Sequence, residues 1–491
     1  MNAPTLRAVF YTVPTRRSFI RTSLAATTAV LTHGPGTSLL GAAAKTARPI
    51  PPSLPQPKGP VTYLVPGDAG FGAARALYNG TIQTQPQMIA RCGNETGVQQ
   101  AVRRAIEKDW PIAVKSGGHC FEGYSLNDDG LVVEVSALNN LQLDAKTGLL
   151  TAGAGCRLAD VNRYLMARGR FLPAGSCETV GLSGLTLGGG YGMFARKWGL
   201  TCDHLRSVRM VAGTGELHDS TSEPDLLWAC KGGGNGSFGV ITEFQFETRP
   251  APKIFSNWKL KAFKLDAARA TELLSRWFEA TTTLPNDAFC AWVMNGSQVT
   301  ILITTIGDRE NKGLLACQKK LAALTTKNTT VGPVPIAKAL PWYYGEPGPQ
   351  FFKNASGGFY KGFADLQPAL PGIFHEVLTT PGQIFQVNTL GGAIADGTGA
   401  YPHRAFPYLG EQQSFWEKPE QGVSRILAAA RVQAHLAKAG IKHHYANYPD
   451  RTFADWQTAY YGENYPRLQT IKKTYDPQNR IRHVQSIRPP A

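Results

Sequence analysis

Hydrophobic and polar positions alternate with two different periods between residues 78 and 250. Apolar residues recur at helical spacing in the stretch 97–108, where one face is formed by Val98, Val102, Ala105 and Ile106. Short apolar runs typical of strands lie at 112–115, 131–135, 149–152, 208–213 and 239–244. A second helix is expected over 157–168, ended by Gly169, and a helical turn over 225–229. This mixture of helices and strands predicts an α+β domain over residues 78–250.

A different pattern follows over residues 251–440. Alternating runs such as 300–303 predict strands, and amphipathic stretches between them predict helices. Together they indicate a second domain in which helices cover an antiparallel sheet. Its loops at 340–363 and 400–415 are dense in aromatic residues, glycine and proline. At 491 residues the chain is too long for one ordinary core, which agrees with two domains.

The N-terminal residues carry a targeting pattern. Arg16 and Arg17 precede a weakly apolar run that ends in small residues near Ala44. Residues 1–44 therefore resemble a twin-arginine signal peptide, which would send the folded protein through the twin-arginine export machinery to the periplasm or the cell exterior. The alternative is a chance pair of arginines before an alanine-rich helix. His33 and Pro35 interrupt the run, so we expect no stable membrane anchor. Residues 45–77 are predicted to be a proline-rich linker.

Charge and cysteine usage exclude several classes of function. The formal net charge is +16, which favours anionic ligands. The sequence has no basic run of five or more residues and no recognition-helix, zinc-finger or RNA-binding motif, so nucleic acid is not an expected partner. None of the eight cysteines forms a C-x-x-C pair, and we expect no metal site. Their spacing leaves the disulfide pattern open.

The densest glycine stretch runs from Pro173 to Leu200 and contains one cysteine, Cys177. Backbone without Cβ atoms lets a flat ligand approach closely, and a thiol placed there can react with that ligand. Upstream, residues 116–119 (SGGH) follow an expected strand, and their N–H groups can hold phosphate oxygens. A tight turn is the alternative for that segment. The G-x-G-x-x-G fingerprint of nicotinamide enzymes is absent after the first strand. The two segments together predict a site for a large planar cofactor held by covalent bonds.

Four segments resemble one family of proteins. KSGGHCFEGYSLNDDGLVVEVSALNN, PAGSCETVGLSGLTLGGGYGMFARKWGLTCDHL and DLLWACKGGGNGSFGVIT occur in this order, and the run from Tyr445 to Ile487 follows them. They resemble berberine bridge enzyme-like oxidases, which belong to the vanillyl-alcohol oxidase and p-cresol methylhydroxylase flavoproteins. The resemblance covers about residues 78–488. It implies a two-part FAD-binding domain of the p-cresol methylhydroxylase type over 78–250, a substrate domain over 251–440, and a terminal segment over 441–491 that returns to the FAD domain.

The resemblance implies FAD that is attached at two points. His119 would bond to the 8α-methyl group and Cys177 to C6 of the flavin ring. The alternatives are a single bond through His119 and a merely buried thiol at Cys177. Val180 would lie near the flavin edge where oxygen reacts, and a small branched residue there favours an oxidase. The other expected FAD contacts are Ser116, Gly117, Gly118, Ser125, Gly175, Gly181, Gly184, Gly188, Gly189, Gly239 and Val240.

The resemblance also implies a set of catalytic side chains. Tyr448 matches the tyrosine that often serves as the base in alcohol oxidation, and Tyr445 belongs to the same motif. Both could instead be core tyrosines. A phenol with a reference pKa of about 10 needs a nearby cation or hydrogen bonds to act near neutrality, for which Arg404 and His403 are candidates. Asp396 matches a point where some members carry a catalytic carboxylate, although an exposed turn explains it equally well.

The expected activity is that of an exported oxidase. It would transfer hydride from a sugar, a polyol, or an aryl or allylic alcohol to flavin N5, and O2 would then be reduced to hydrogen peroxide. Asn388 stands where some sugar oxidases carry an acid, which weakens the sugar interpretation. Oxidative cyclisation, amine oxidation and a non-catalytic binding protein on a flavin scaffold remain alternatives. The aromatic loops are compatible with several classes of substrate. The sequence also leaves the oligomeric state open.

Overall fold

The computed structural model describes residues 55–490. The predicted signal peptide and the first part of the predicted linker lie outside these residues. Within the range predicted as linker, however, Val61–Leu64 forms a strand and Phe71–Arg75 a helix. This strand forms because the alternating residues Val61 and Tyr63 pack against the core of the first domain. Of the described residues, the predicted linker therefore includes only 55–60.

A four-stranded sheet begins the first domain. Its order is Val61–Leu64, Met88–Cys92, Leu131–Glu134, Ile112–Lys115, and only the first pair is antiparallel. Helix Glu95–Glu107 covers it, and Asn94 caps that helix by accepting a hydrogen bond from the Gly97 N–H. Residues 112–115 and the helix agree with the sequence prediction to within two residues. The strand 112–115 ends where the SGGH segment begins.

A five-stranded antiparallel sheet completes this domain. Its strands, in order, are Leu141–Leu143, Leu149–Gly153, Gly239–Glu247, Leu205–Ala212 and Leu217–Asp219. The accompanying helices are Leu158–Met166, Leu182–Leu187, Ala195–Trp198 and Pro224–Cys230. Arg170–Phe171 and Arg249–Pro250 form a short two-stranded pair. One apolar core joins both sheets.

The second domain is built on an eight-stranded antiparallel sheet, which confirms the predicted fold class. The main order is Lys327–Val334, Phe255–Ala262, Gln298–Thr305, Ala288–Asn295, Gln383–Thr389, Tyr408–Trp416 and Phe351–Phe352, and Ala355–Tyr360 also pairs with Tyr408–Trp416. Helices Ala267–Thr281, Lys312–Ala322, Leu370–Thr379 and Gly422–Lys438 cover one face. Shorter helices are Ile336–Ala339 and Phe363–Leu366.

Alternation decides which side chains of this sheet meet the helices. Trp258, Leu260 and Trp292 belong to the core under the helices. Ala291, which precedes Trp292, therefore lies on the opposite face, towards the first domain, and so do Leu302 and Asn388, which pair with Ala291 on the adjoining strands. That face, rather than the helix-covered one, is available for ligands.

The C-terminal segment binds both domains together. Its helices Trp456–Tyr461 and Tyr465–Tyr475 contribute to the core of the first domain. Lys472 is fully buried there, and its Nζ donates to Asp476 Oδ2 at 2.6 Å and to the Ile481 carbonyl at 2.7 Å. Earlier in the segment, Tyr445 N donates to Ser356 Oγ at 3.0 Å, on a strand of the second domain. In residues 55–490 no helix is long and apolar enough to cross a bilayer.

Candidate active site

A cavity of about 410 Å³ lies between the two domains and the C-terminal segment. Its wall combines the SGGH segment, the glycine stretch, one face of the eight-stranded sheet and the terminal tyrosines. The volume falls in the range of small-molecule and cofactor sites. Of the predicted site residues, those that line it are Ser116, Gly117, Gly118, His119, Ser125, Gly175, Cys177, Val180, Gly181, Gly184, Gly239, Tyr445 and Tyr448.

Gly117 and Gly181 pack backbone against backbone in this wall. A Cβ added at Gly181 would lie 2.6 Å from Gly117 N and 2.8 Å from Ser116 Oγ, and a Cβ at Gly117 would collide with the Gly181 backbone. Only glycine fits at either position without moving a chain. The contact joins the segment that carries His119 to the segment that carries Cys177, so both side chains face one cavity.

His119 is held in place by two contacts. Its Nε2 lies 2.8 Å from Thr179 Oγ1, and its ring stacks on Tyr78 with centroids 4.1 Å apart. Burial, assisted by the positive charge of Arg157, lowers the pKa of His119 to about 3. The imidazole is therefore neutral at physiological pH, which is its nucleophilic form. In the tautomer whose Nε2–H donates to Thr179 Oγ1, Nδ1 carries the free lone pair that a covalent link requires.

Cys177 lies in the same wall, but as a thiol. Burial, followed by the negative charges of Glu411 and Glu178, raises the pKa of Cys177 to about 11. This protein environment alone does not generate a thiolate, so the sulfur needs an electrophilic ligand or a base to react. Cys177 is free of a disulfide, as are the other seven cysteines.

The wall fits FAD on structural grounds. A Cβ at Gly184 or Gly236, both in the cavity wall, would meet no protein atom within 4 Å, so glycine leaves these surfaces bare. The buried Asn235 Oδ1, also in the wall, has no hydrogen-bond partner among the described residues. A bare backbone surface and an unpaired acceptor suit a flat, polar cofactor. His119 and Cys177 would hold the ring.

Three predicted cofactor contacts are not in the wall. Gly188 instead packs against Asn447 of the C-terminal segment, with which a Cβ at this position would collide. The same Cβ would lie 2.7 Å from Asn235 Nδ2. Gly189 has φ +118° and packs against Tyr401. Val240 is fully buried in the first core. Alternation along its strand turns Gly239 to the cavity and Val240 away from it.

Tyr448 and Tyr445 both line the cavity. The Tyr448 Oη lies 2.7 Å from the Tyr191 Oη, and its ring stacks on Phe121 with centroids 5.2 Å apart. Burial raises the pKa of Tyr448 well above its ordinary value, and the charge of Glu411 raises it further. The Tyr445 Oη accepts a hydrogen bond from the backbone N–H of Gly190 at 2.9 Å. This backbone contact holds the Tyr445 hydroxyl in place, whereas the Tyr448 hydroxyl is held by a side chain.

Glu411 is a cavity residue that the sequence analysis missed. It lies on the strand Tyr408–Trp416, is 6% exposed, and lines the cavity together with Gln413 and Tyr448. Burial raises the pKa of Glu411 from 4.5 to about 7, against the lowering effect of Gln413 and Tyr448. An acidic residue at an inward position of a buried strand was the signal that could have found it.

The predicted partners of Tyr448 are not beside it. Arg404 and His403 are absent from the cavity wall. The Arg404 Nη2 donates to Asp203 Oδ1 at 2.7 Å, while the His403 ring packs at a tilt against Phe359 with centroids 4.5 Å apart. The group beside Tyr448 is the carboxylate of Glu411, so no cation lowers the pKa of this phenol.

The structure also removes Asp396 from the predicted catalytic set. Asp396 is exposed and does not line the cavity. It follows the 3-10 turn Gly392–Ile394, which begins after Gly391 at φ +77° and takes the chain away from the sheet. This placement agrees with the exposed-turn interpretation of Asp396.

A line of hydrogen bonds runs across the sheet face. Gln386 Nε2 donates to Asn388 Oδ1 at 2.7 Å, and Asn388 Nδ2 donates to Tyr191 Oη at 3.3 Å. Tyr191 can then donate to Tyr448, and Glu411 is close enough to Tyr448 for its charge to raise the pKa of that phenol. The Gln386 Oε1 is buried and has no hydrogen-bond partner within residues 55–490, and Gln386 lines the cavity. It is an acceptor available to a hydroxyl or amine of a ligand.

Comparison with known proteins agrees with this site. A family model described as "FAD binding domain" matches residues 86–221, and one described as "Berberine and berberine like" matches residues 444–488. The chain is 31% identical over 440 residues to the uncharacterized FAD-linked oxidoreductase YgaK of Bacillus subtilis, covering 86% of this chain and 95% of that protein.

Two further proteins are similar over most of their length. Chitooligosaccharide oxidase of Gibberella zeae is 28% identical over 446 residues, which cover 84% of this chain and 89% of that protein. The solved structure of BBE-like 1 of Physcomitrella patens superposes with a TM-score of 0.81 at 26% identity, covering 88% of this chain and 98% of that one. With its FAD-binding fold, its glycine-lined cavity and its terminal tyrosines, the chain belongs to the berberine bridge enzyme-like family of FAD-linked oxidoreductases.

Proposed function

We propose that this FAD-linked oxidoreductase is an exported oxidase that holds FAD through His119 and Cys177 and oxidises the CH–OH group of a small alcohol. One observation carries the proposal: the two predicted anchors, the paired tyrosines and a buried carboxylate line a single cavity. Bound FAD supplies the two-electron acceptor, which takes hydride from the substrate carbon and passes the electrons to O2 to give hydrogen peroxide. The protein has to position the alcohol and remove its hydroxyl proton.

Tyr448 and Glu411 are suited to take that proton. Tyr448 accepts the proton of the substrate hydroxyl while its own phenolic proton passes to Glu411, so no isolated phenolate forms. The neighbouring carboxylate supports this order of events, because it raises the pKa of Tyr448 and would oppose a standing tyrosinate. The proton held by Glu411 is returned when O2 is reduced. The overall reaction then balances, since one alcohol and one O2 give one carbonyl compound and one hydrogen peroxide.

The cavity wall supports an alcohol with an apolar body. Phe289, Ala291, Leu302 and Phe415 provide apolar surface on the sheet face, while Gln386 and Asn388 provide amide groups. One relative is named for oxidation of chitooligosaccharides, which supports alcohol chemistry on this scaffold. Amine oxidation is the second candidate, favoured by the carboxylate of Glu411 and by the absence of a cation beside it in the described residues.

Hydrogen peroxide release tests the proposal. Purified protein would be assayed against sugars, polyols, aryl alcohols and amines, and flavin bleaching would be followed under nitrogen. Alcohols should give peroxide and bleaching with wild type and neither with Tyr448→Phe at comparable rates. Turnover of amines alone would replace the alcohol proposal with the second candidate. A yellow protein that no compound bleaches would support a binding protein instead.

Export rests on the sequence of residues 1–44. Replacing Arg16 and Arg17 together by lysine should retain the protein in the cytoplasm, whereas a matched change of Arg7 to lysine should not. Mass spectrometry of the exported protein should find a new N-terminus near Ala44. An intact N-terminus on protein found only in the cytoplasm would contradict this part of the proposal.

A further inference from the structure

Three lysines lie together at one edge of the eight-stranded sheet. Lys327 is on the edge strand, and Lys259 and Lys261 are on the next strand, with Lys261 directly opposite Lys327. Within residues 55–490, none of the three side chains makes an ion pair or a hydrogen bond, and Lys261 Nζ lies 6.0 Å from the centroid of the Phe263 ring. Like charges placed directly opposite each other destabilise a sheet. Three positive charges without a neighbouring carboxylate therefore cost stability, unless they serve a function.

Protection of the sheet edge explains only one of the three. An exposed edge strand is often blunted with lysine to prevent pairing with another chain, and Lys327 is exposed on such a strand. The strand that carries Lys259 and Lys261 is paired on both sides. Its lysines are only partly exposed, and they protect no edge.

Lys259 and Lys261 lie on the face of the sheet that lines the cavity. Lys259 is directly opposite Leu302 in the ladder, and Leu302 is a cavity residue. On the same strand as Lys259, Trp258 and Leu260 face the covering helices. The lysines are therefore one strand beyond the cavity wall, on the same surface.

A continuous row of side chains connects this cluster to the proposed proton acceptor. The residues directly opposite one another on successive strands are Lys327, Lys261, Thr300, Val293, Gln386 and Glu411. Neighbouring strands are about 4.8 Å apart, so Lys261 and Glu411 are separated by about 19 Å across the sheet. Gln386 and Glu411 line the cavity, so a molecule that extends from the cavity over Val293 and Thr300 would reach Lys261.

Electrostatics at the cluster agrees with an anion site. Burial is the main cause that lowers the pKa of Lys259, to about 8, and the charges of Lys261 and Lys327 add to it. No carboxylate contributes to the pKa of Lys259 or Lys261. An anion bound among these amines would relieve their repulsion and would be drawn by the positive charge of the whole chain.

We propose that Lys259, Lys261 and Lys327 bind an anionic group, a carboxylate or a phosphate, on the distal end of the oxidised substrate. This inference rests on the proposed function, because it assigns one end of the substrate to Tyr448 and the other to the lysines. The substrate is then an elongated alcohol with an apolar middle and an acidic terminus.

A series of matched probes tests the inference. The probes are 4-(carboxyalkoxy)benzyl alcohols with alkyl chains of increasing length, and their methyl esters, which have the same shape without the charge. At the chain length that spans the sheet face, the carboxylate should have a kcat/KM about tenfold above its ester, through a lower KM. The advantage should shrink at high salt.

Variants locate the effect. Lys259→Gln combined with Lys261→Gln should remove the preference for the carboxylate and leave turnover of the ester unchanged. Lys438→Gln is the control, because this exposed lysine ends a helix on the opposite face of the sheet. A preference that survives in the double variant overturns the inference. Phosphate monoesters of the same length show which anion the cluster prefers.

A binding measurement separates this inference from the proposed function. The same probes would be titrated calorimetrically into the holoenzyme without oxygen. Tighter binding of the carboxylate than of the ester, with no oxidation of either, would overturn the alcohol oxidase and retain the anion site. Equal binding of the two, or binding of neither, overturns the anion site whatever the oxidation assay shows.

Discussion

The hydroxyl groups of Tyr448 and Tyr191 lie 2.7 Å apart, and the Tyr448 phenol also meets the buried carboxylate of Glu411. Tyr191 comes from the glycine stretch, Tyr448 from the C-terminal segment and Glu411 from the eight-stranded sheet. Three separate parts of the chain thus converge on one phenol. Its behaviour reports on the whole site.

Removing this phenol should affect the reductive half-reaction in particular. Tyr448→Phe is expected to lower the rate of flavin reduction by an alcohol about a hundredfold, the usual loss when a general base is removed. Rapid-mixing absorbance under nitrogen measures this rate. Because Glu411 acts through Tyr448, adding Glu411→Gln should cause little further loss. Multiplied losses would show that the two residues act independently.

The pH dependence should follow Glu411. Its pKa is raised to about 7, and only its carboxylate form can accept a proton. Flavin reduction is therefore expected to rise about tenfold per pH unit below 7 and to level off above it, because the acceptor is protonated at lower pH. Glu411→Gln should flatten this limb of the profile. Asp396→Asn, which removes an exposed carboxylate outside the cavity, should leave the profile unchanged.

The proposed covalent attachment of FAD can be tested one bond at a time. His119→Ala and Cys177→Ala should each keep flavin bound after acid precipitation, through the remaining bond, whereas the double variant should release it. Absorbance of the pellet and supernatant, with mass spectrometry of flavin-bearing peptides, measures this. Release of flavin from the Cys177→Ala protein would mean that His119 forms no bond.

The contact between Gly117 and Gly181 should tolerate no side chain. Gly181→Ala places a Cβ 2.6 Å from Gly117 N, which is expected to cost about 1–3 kcal/mol and to lower flavin content. Chemical denaturation and the absorbance ratio of flavin to protein check this. Gly72→Ala is the matched control, since a Cβ at that helical glycine meets nothing within 4 Å. Equal stability of both variants would contradict the packing argument.

The buried pair of Lys472 and Asp476 gives a prediction for stability. Lys472→Ala leaves the Asp476 charge buried without its partner and should lower the free energy of unfolding by about 3–5 kcal/mol. Lys473→Ala changes an exposed neighbour on the same helix and should have little effect. Denaturant titrations of the two variants compare them directly.

Local patterns were enough to predict most elements of the first domain. The strand Ile112–Lys115 and the helix Glu95–Glu107 follow directly from apolar periodicity. The strand Val61–Leu64 was missed, because proline composition outweighed four alternating residues. It is stabilised by pairing with Met88–Cys92, a contact that no local window contains.

The sequence motifs predicted many of the residues that line the cavity. They did not predict Glu411, which lies beside Tyr448 in it. Val240 and Gly188 follow the motif but face the protein interior, since strand alternation and packing against Asn447 orient them. Glu411 belongs to no motif, and its position depends on the register of Tyr408–Trp416 against Gln383–Thr389. Pairing between distant strands is not encoded in the spacing of residues along one strand.

The C-terminal segment is synthesised after both domains, and the first domain depends on it. Its helices complete the core of the first domain, and Tyr448 precedes them in the same segment. A ribosome-bound chain that lacks these last residues has neither a finished cofactor domain nor its phenol. The proposed oxidation therefore requires that the C-terminal segment has been synthesised and has folded onto the first domain.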